Sequence, residues 1–66
     1  MVNKIVLEQL RLENDFTYED VATRMGYAHK TSYYKKLNNR GSVFTLKDVM
    51  KLCEIFNVEP NDLLLH

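Results

Sequence analysis

Sixty-six residues, with nine Lys and Arg against nine Asp and Glu, make a small chain of zero net charge, expected to form one domain with a thin stability margin. The lone Cys53 excludes an internal disulfide, and with only His29 and His66 beside it a zinc site is excluded as well. No apolar run approaches membrane length, and the N-terminus mixes charges into its apolar residues, unlike a secretory leader, so a reducing, cytoplasmic setting is expected.

The periodicity is helical from end to end, with no strand pattern. In "VNKIVLEQLRLEN" the residues Val6, Leu7 and Leu10 share one stripe, and Val2, Val6 and Leu10 recur at four-residue steps. This predicts a first helix ending near Glu13 to Asp15. "FTYEDVATRMG" predicts a second: Thr17 is a good N-cap, Asp20 stands three residues on as a capping-box variant, and Glu19 and Asp20 suit the positive end of the dipole. Val21, Ala22 and Met25 form its inward face, and Gly26 ends it.

A third helix is predicted from about Lys30–Ser32 to about Asn38, with Leu37 and either Tyr33 or Tyr34 facing the core. Thr31 and Ser32 suit either a cap of this helix or an outside contact. "TLKDVMKLCEIFNV" predicts a fourth, capped by Thr45 with Asp48 three residues on. Its apolar stripe runs through Leu46, Val49, Leu52, Cys53 and Phe56, which makes Cys53 a small core hydrophobe rather than a reactive thiol. "EPNDLLL" predicts a short fifth, with Pro60 at its first position and Leu63 and Leu64 within reach of the core.

Charge is unevenly spread along these elements. Met1 to Asp20 carries net −3, Val21 to Lys47 carries six bases and no acid, and Asp48 to His66 carries net −3. The neutral total hides a strongly basic middle, "GYAHKTSYYKKLNNRG", which points to an anionic partner.

"LRLENDFTYEDVATRMGY" and "LNNRGSVFTLKDVMKLCEIFNVEPNDLL" resemble the Cro and phage-repressor (Xre-type) helix-turn-helix family over nearly the whole chain. Leu10-Arg11, Phe16, Val21-Ala22, Gly26, Leu37, Leu46, Val49, Leu52, Cys53, Phe56 and Val58 fall at that family's spacing. The resemblance implies an all-α, lambda-repressor-like domain of five short helices that binds double-stranded DNA as a transcriptional regulator. Two features depart from the pattern. "YAHKTS" holds one extra residue if Tyr33 is the core residue and two if it is Tyr34. Tyr18 stands where many relatives have a phosphate-contacting glutamine.

In such a motif the third helix enters the major groove and its outward side chains meet base edges. Lys30, Thr31, Ser32, Tyr33, Lys35 and Lys36 are therefore expected at the bases. Thr17, Tyr18, Asn38, Asn39, Arg40 and Lys47 are expected at the DNA backbone, where helix N-termini and cations suit phosphates. If about four to six phosphates are neutralised, affinity should fall with salt at a slope of roughly −4 to −5. One such module has a small interface, so a homodimer is expected on DNA. Ile5, Leu12, Ile55 and Leu65 are candidate dimer contacts.

The same fold without DNA binding, as a partner in an anti-repressor or antitoxin-like complex, is the main alternative; a structure-selective RNA binder is a second. No phosphate loop, metal triad or nucleophile elbow supports catalysis, and no cofactor, small-molecule ligand or sizeable pocket is expected.

Overall fold

The computed structural model describes residues 2–41 and 43–64. Its elements are α1 (Lys4–Glu13), α2 (Tyr18–Met25), α3 (Lys30–Leu37), α4 (Leu46–Phe56) and α5 (Pro60–Leu63). The helical reading and the five expected helices are borne out. The one extended pairing among the described residues is an antiparallel bridge between Val2 and Leu64, where the Asn3 amide donates to the Leu63 carbonyl at 2.7 Å.

The caps explain why the helices start where they do. Asn3 accepts from the Ile5 amide at the start of α1. Thr17 and Asp20 form a reciprocal capping box on α2, and Thr45 and Asp48 form another on α4. Each box satisfies two amides that a bare helix end leaves unpaired. Gly26 ends α2 in the left-handed region at φ 86°, which costs a residue without a Cβ little. Pro60 opens α5, where its missing N–H costs nothing.

Leu7, Val21, Ala22, Met25, Tyr33, Leu37, Val49, Leu52, Phe56 and Leu63 form the buried core. Val6, Leu10, Phe16 and Cys53 pack half-buried against it. Tyr33 and Leu37 thus take the inward positions of α3 at four-residue spacing, and the turn before the helix holds the single extra residue.

Two expectations are corrected and one open alternative is removed. Leu46 is 76% exposed: it opens α4 at the edge of the Val49–Leu52–Phe56 stripe, where no described residue covers it. Leu64 is half-buried, on the wall of a surface groove rather than in the core. Thr31 and Ser32 do not cap α3; the cap position is His29, which makes no side-chain bond there, and both hydroxyl residues are exposed within the helix.

Candidate functional site

At about 100° per residue, burying Tyr33 and Leu37 turns Thr31, Ser32 and Lys35 to the opposite side of α3. All three are exposed, as is Lys30. Tyr34 and Lys36 take the two flanks, and each is held by a different neighbour.

Tyr34 leans toward α2. Its ring meets that of Tyr18 edge-on, with centroids 5.7 Å apart. Tyr18 is fixed in turn from α1. Its hydroxyl donates to Glu8 Oε2 at 2.9 Å, and the Arg11 guanidinium lies 4.4 Å from the ring centroid. Arg11 pairs with Glu8 at 3.4 Å and donates to the Phe16 carbonyl at 2.7 Å. Burial, and then the bond to Glu8, push the Tyr18 hydroxyl above its ordinary pKa. The proton expected to reach a phosphate therefore goes to Glu8, and Tyr18 becomes a wall that orients Tyr34.

Lys36 leans toward α4. Its ammonium donates to Asp48 Oδ2 at 2.7 Å and lies 5.2 Å from the centre of the Tyr27 ring. Tyr27 donates to Asp48 Oδ1 at 2.8 Å, and the Thr45 amide donates to Oδ2 at 2.9 Å. Partial burial pushes the Asp48 carboxyl up, but the bonds from Lys36, the Thr45 amide and Tyr27 outweigh it and hold the group at about 2. One carboxylate thus joins the turn after α2, the last turn of α3 and the cap of α4.

Among the residues expected at base edges, Thr31, Ser32 and Lys35 are free on the outer side of α3, and Lys30 is exposed at the helix start, on the same side as Tyr33. Tyr33 is not: its ring is 0% exposed, between Tyr18 and Phe44, so the expectation of a base contact from it is corrected. Four-residue spacing from Leu37 aims it inward. Lys36 is half-buried and tied to Asp48.

Among those expected at a backbone, Thr17 is exposed at the N-cap of α2. It accepts from the Asp20 amide at 3.1 Å, which leaves its own hydroxyl proton to donate. Asn38 is used internally: its amide donates to the Tyr34 carbonyl at 3.0 Å and its oxygen accepts from Lys4. Asn39 is exposed at φ 54°, a left-handed turn that asparagine tolerates. Arg40 is exposed, with its amide on the Lys35 carbonyl at 2.8 Å. Lys47 is exposed at the second position of α4. Of the proposed dimer contacts, Ile5 and Leu12 are exposed and Ile55 is half-buried; Leu65 lies outside the described residues.

Thr17, Tyr18 and Glu19 from the start of α2 and Lys30, Thr31 and Tyr34 from α3 line one open cleft of about 500 Å3. A second open groove, of about 630 Å3, runs between the start of α1, the end of α3 and the start of α4. Both exceed what the short chain led us to expect, because they lie between helices at the surface rather than inside the core. Sequence reasoning missed Glu8 and Arg11 as the support of Tyr18, Glu19 as a lip of the cleft, and Asp48 as the anchor of α3. The capping signal at Asp48 was readable, but its bonds to Tyr27 and Lys36 span 21 and 12 residues and have no local pattern.

Among the described residues no helix is long and apolar enough to cross a membrane. A family model for the Cro/C1-type helix-turn-helix DNA-binding domain matches residues 6–66. No curated protein and no solved structure matches the chain.

Proposed function

We propose, from the premise that this chain belongs to the family of Cro/C1-type helix-turn-helix DNA-binding domains, that it binds duplex DNA sequence-specifically as a small transcriptional regulator. The observation that carries the reading is the outer side of α3. Thr31, Ser32 and Lys35 stand free opposite the buried Tyr33 and Leu37, with Lys30 exposed at the helix start. These side chains are slender, and they offer donors, acceptors and a threonine methyl. Those are the groups that read a major groove, where lysine suits guanine acceptors and the methyl suits thymine.

α2 supplies the neighbouring grip. Thr17 caps a helix whose free amides and positive dipole end favour a phosphate. Asn39 and Arg40 follow α3 directly and are exposed, which suits backbone contact on its far side. Tyr34, 44% exposed and oriented by Tyr18, adds a rigid aromatic surface at the cleft. Lys36 and Asp48 act as a strut that fixes the angle of α3 against α4, so that the helix meets the groove as a preformed wedge. The protein works as a homodimer on DNA, since one module of this size covers too little of an operator for useful specificity.

Selection from a pool of random duplexes tests this. The wild-type chain should enrich an inverted repeat, and Lys35→Ala or Thr31→Ala should lose or relax defined positions of it. A failure to enrich any motif at low salt would favour the same fold acting as a protein-interaction module.

A further inference from the structure

We propose that two copies of this chain pair through α4, laid antiparallel across the exposed side that carries Leu46 and Met50. The inference rests on the reading of the protein as a homodimer and names the surface that makes it one.

The face is apolar and uncovered. Ile5 is 72% exposed, Val43 63%, Leu46 76% and Met50 59%, and these are four of the six large hydrophobic side chains left most open among the described residues. Ile5, Val43 and Leu46 line the groove of about 630 Å3 between the starts of α1 and α4. Met50 continues the face one turn along α4. Half-buried Cys53, three residues further, extends the same stripe beside the buried one. Single exposed leucines are ordinary; a contiguous apolar face marks an interaction surface.

Charge says what covers it. Lys47 and Glu54 are both exposed and lie seven residues apart, on the same side of α4 and about 10 Å from each other along the axis. They border the apolar stripe with opposite signs. The pattern extends beyond α4: Lys4 stands by the groove at the basic end, and Glu59 and Asp62 lie close enough to Cys53 to reinforce the effect of burial in pushing its thiol up.

A two-fold contact brings a surface against itself. Run parallel about a two-fold, the charged edge of one helix would lie across the contact from that of the other, and neither Lys47 nor Glu54 would find a charged partner. Run antiparallel, each Lys47 meets Glu54 of the partner subunit, twice over, while Leu46 and Met50 pack between. The face is therefore complementary to its own copy in one orientation only. This assigns Lys47 to the partner rather than to a phosphate. Thr31, Ser32 and Lys35 are on α3 and outside the face, so pairing leaves them free.

Sedimentation equilibrium without DNA tests the charge pattern. Lys47→Glu and Glu54→Lys should each weaken self-association roughly tenfold, and the double swap should recover it. Swapped double mutants no better than the singles would overturn the antiparallel pairing. Disulfide trapping tests the face even where association is weak. In a Cys53→Ala background, Met50→Cys should cross-link under mild oxidation at least tenfold faster than Thr23→Cys, an exposed control on α2. Equal rates would overturn the proposal, and circular dichroism of each variant establishes that it is folded. Neither measurement involves DNA. Trapped dimers together with a failed duplex selection would sink the DNA reading and leave the interface standing. An enriched inverted repeat together with no trapping would do the opposite.

Discussion

Lys36 Nζ donates to Asp48 Oδ2 at 2.7 Å, binding the last turn of α3 to the cap of α4. Adjacent Lys35 points away from that bond and into solvent. Two neighbouring lysines therefore do different work, and their alanine variants should separate cleanly. Lys35→Ala should lower DNA affinity about tenfold with little change in stability. It should either relax one base position or reduce the salt slope by about one. Lys36→Ala should cost about 1 kcal/mol of stability, because a half-buried charged bond is lost. Its salt slope should stay near that of the wild type. Urea denaturation and binding titrations at several salt concentrations make the comparison; equal salt slopes in the two variants would contradict the division of labour.

The same carboxylate predicts a pH limb. Asp48 is held at about 2 in the fold, against an ordinary value of 3.8. Its folded pKa is depressed, so the stability it contributes is present above the unfolded value and is lost as pH falls from about 4 to about 2. Asp20, lowered by hydrogen bonds with Thr17, titrates in the same direction. Thermal unfolding between pH 6 and 2 should show a steep loss below pH 4. Asp48→Asn should be less stable at pH 6 and should lose less on acidification, keeping only the share that Asp20 and other carboxylates supply. A variant curve parallel to the wild type would remove Asp48 from the account.

What could be read without coordinates followed the range of the forces involved. Caps, periodicity and the glycine stop act within a few residues, so Thr17–Asp20, Thr45–Asp48, Gly26 and the stripe Val49–Leu52–Phe56 were legible. The choice between Tyr33 and Tyr34 was not. Both spacings from Leu37 fit a helix, and the decision falls to packing against Tyr18 and Phe44 from elsewhere in the chain. The exposure of Leu46 was hidden for a related reason: its step of three from Val49 reads as core, but it opens the helix with no described neighbour above it. The basic middle was visible as charge, yet Lys36 counted there as free, and only tertiary contact reveals that Asp48 neutralises it.

Glu19 is exposed on the lip of the cleft it shares with Thr17, Lys30 and Thr31. Its position in the first turn favours α2 through the helix dipole, but a carboxylate there opposes an incoming phosphate. Glu19→Gln should therefore tighten duplex binding a few-fold at low salt, with the gain fading toward 0.5 M as screening shortens to about 4 Å. The cost to the helix should be a few tenths of a kcal/mol. Fluorescence anisotropy on one duplex across a salt series measures it. Unchanged affinity at low salt would mean that no phosphate approaches this end of α2.

Among the described residues, Tyr33 Oη is the buried side-chain polar atom that has no hydrogen-bond partner. Burial pushes its hydroxyl pKa up, as expected for a phenol kept from water. An unmet buried hydroxyl costs about 1–3 kcal/mol in lost solvation. Tyr33→Phe removes that cost and keeps the ring contacts with Tyr18 and Phe44, so it should stabilise the fold by about 1 kcal/mol and raise the Tm by several degrees. The variant also decides the role of Tyr33 at the DNA. A buried ring reaches no base, so affinity and site preference should be unchanged. A stable Tyr33→Phe protein that binds duplex DNA tenfold more weakly would return this tyrosine to the interface and imply that α3 rotates on binding. A destabilised one would show that the hydroxyl finds a partner inside the folded chain.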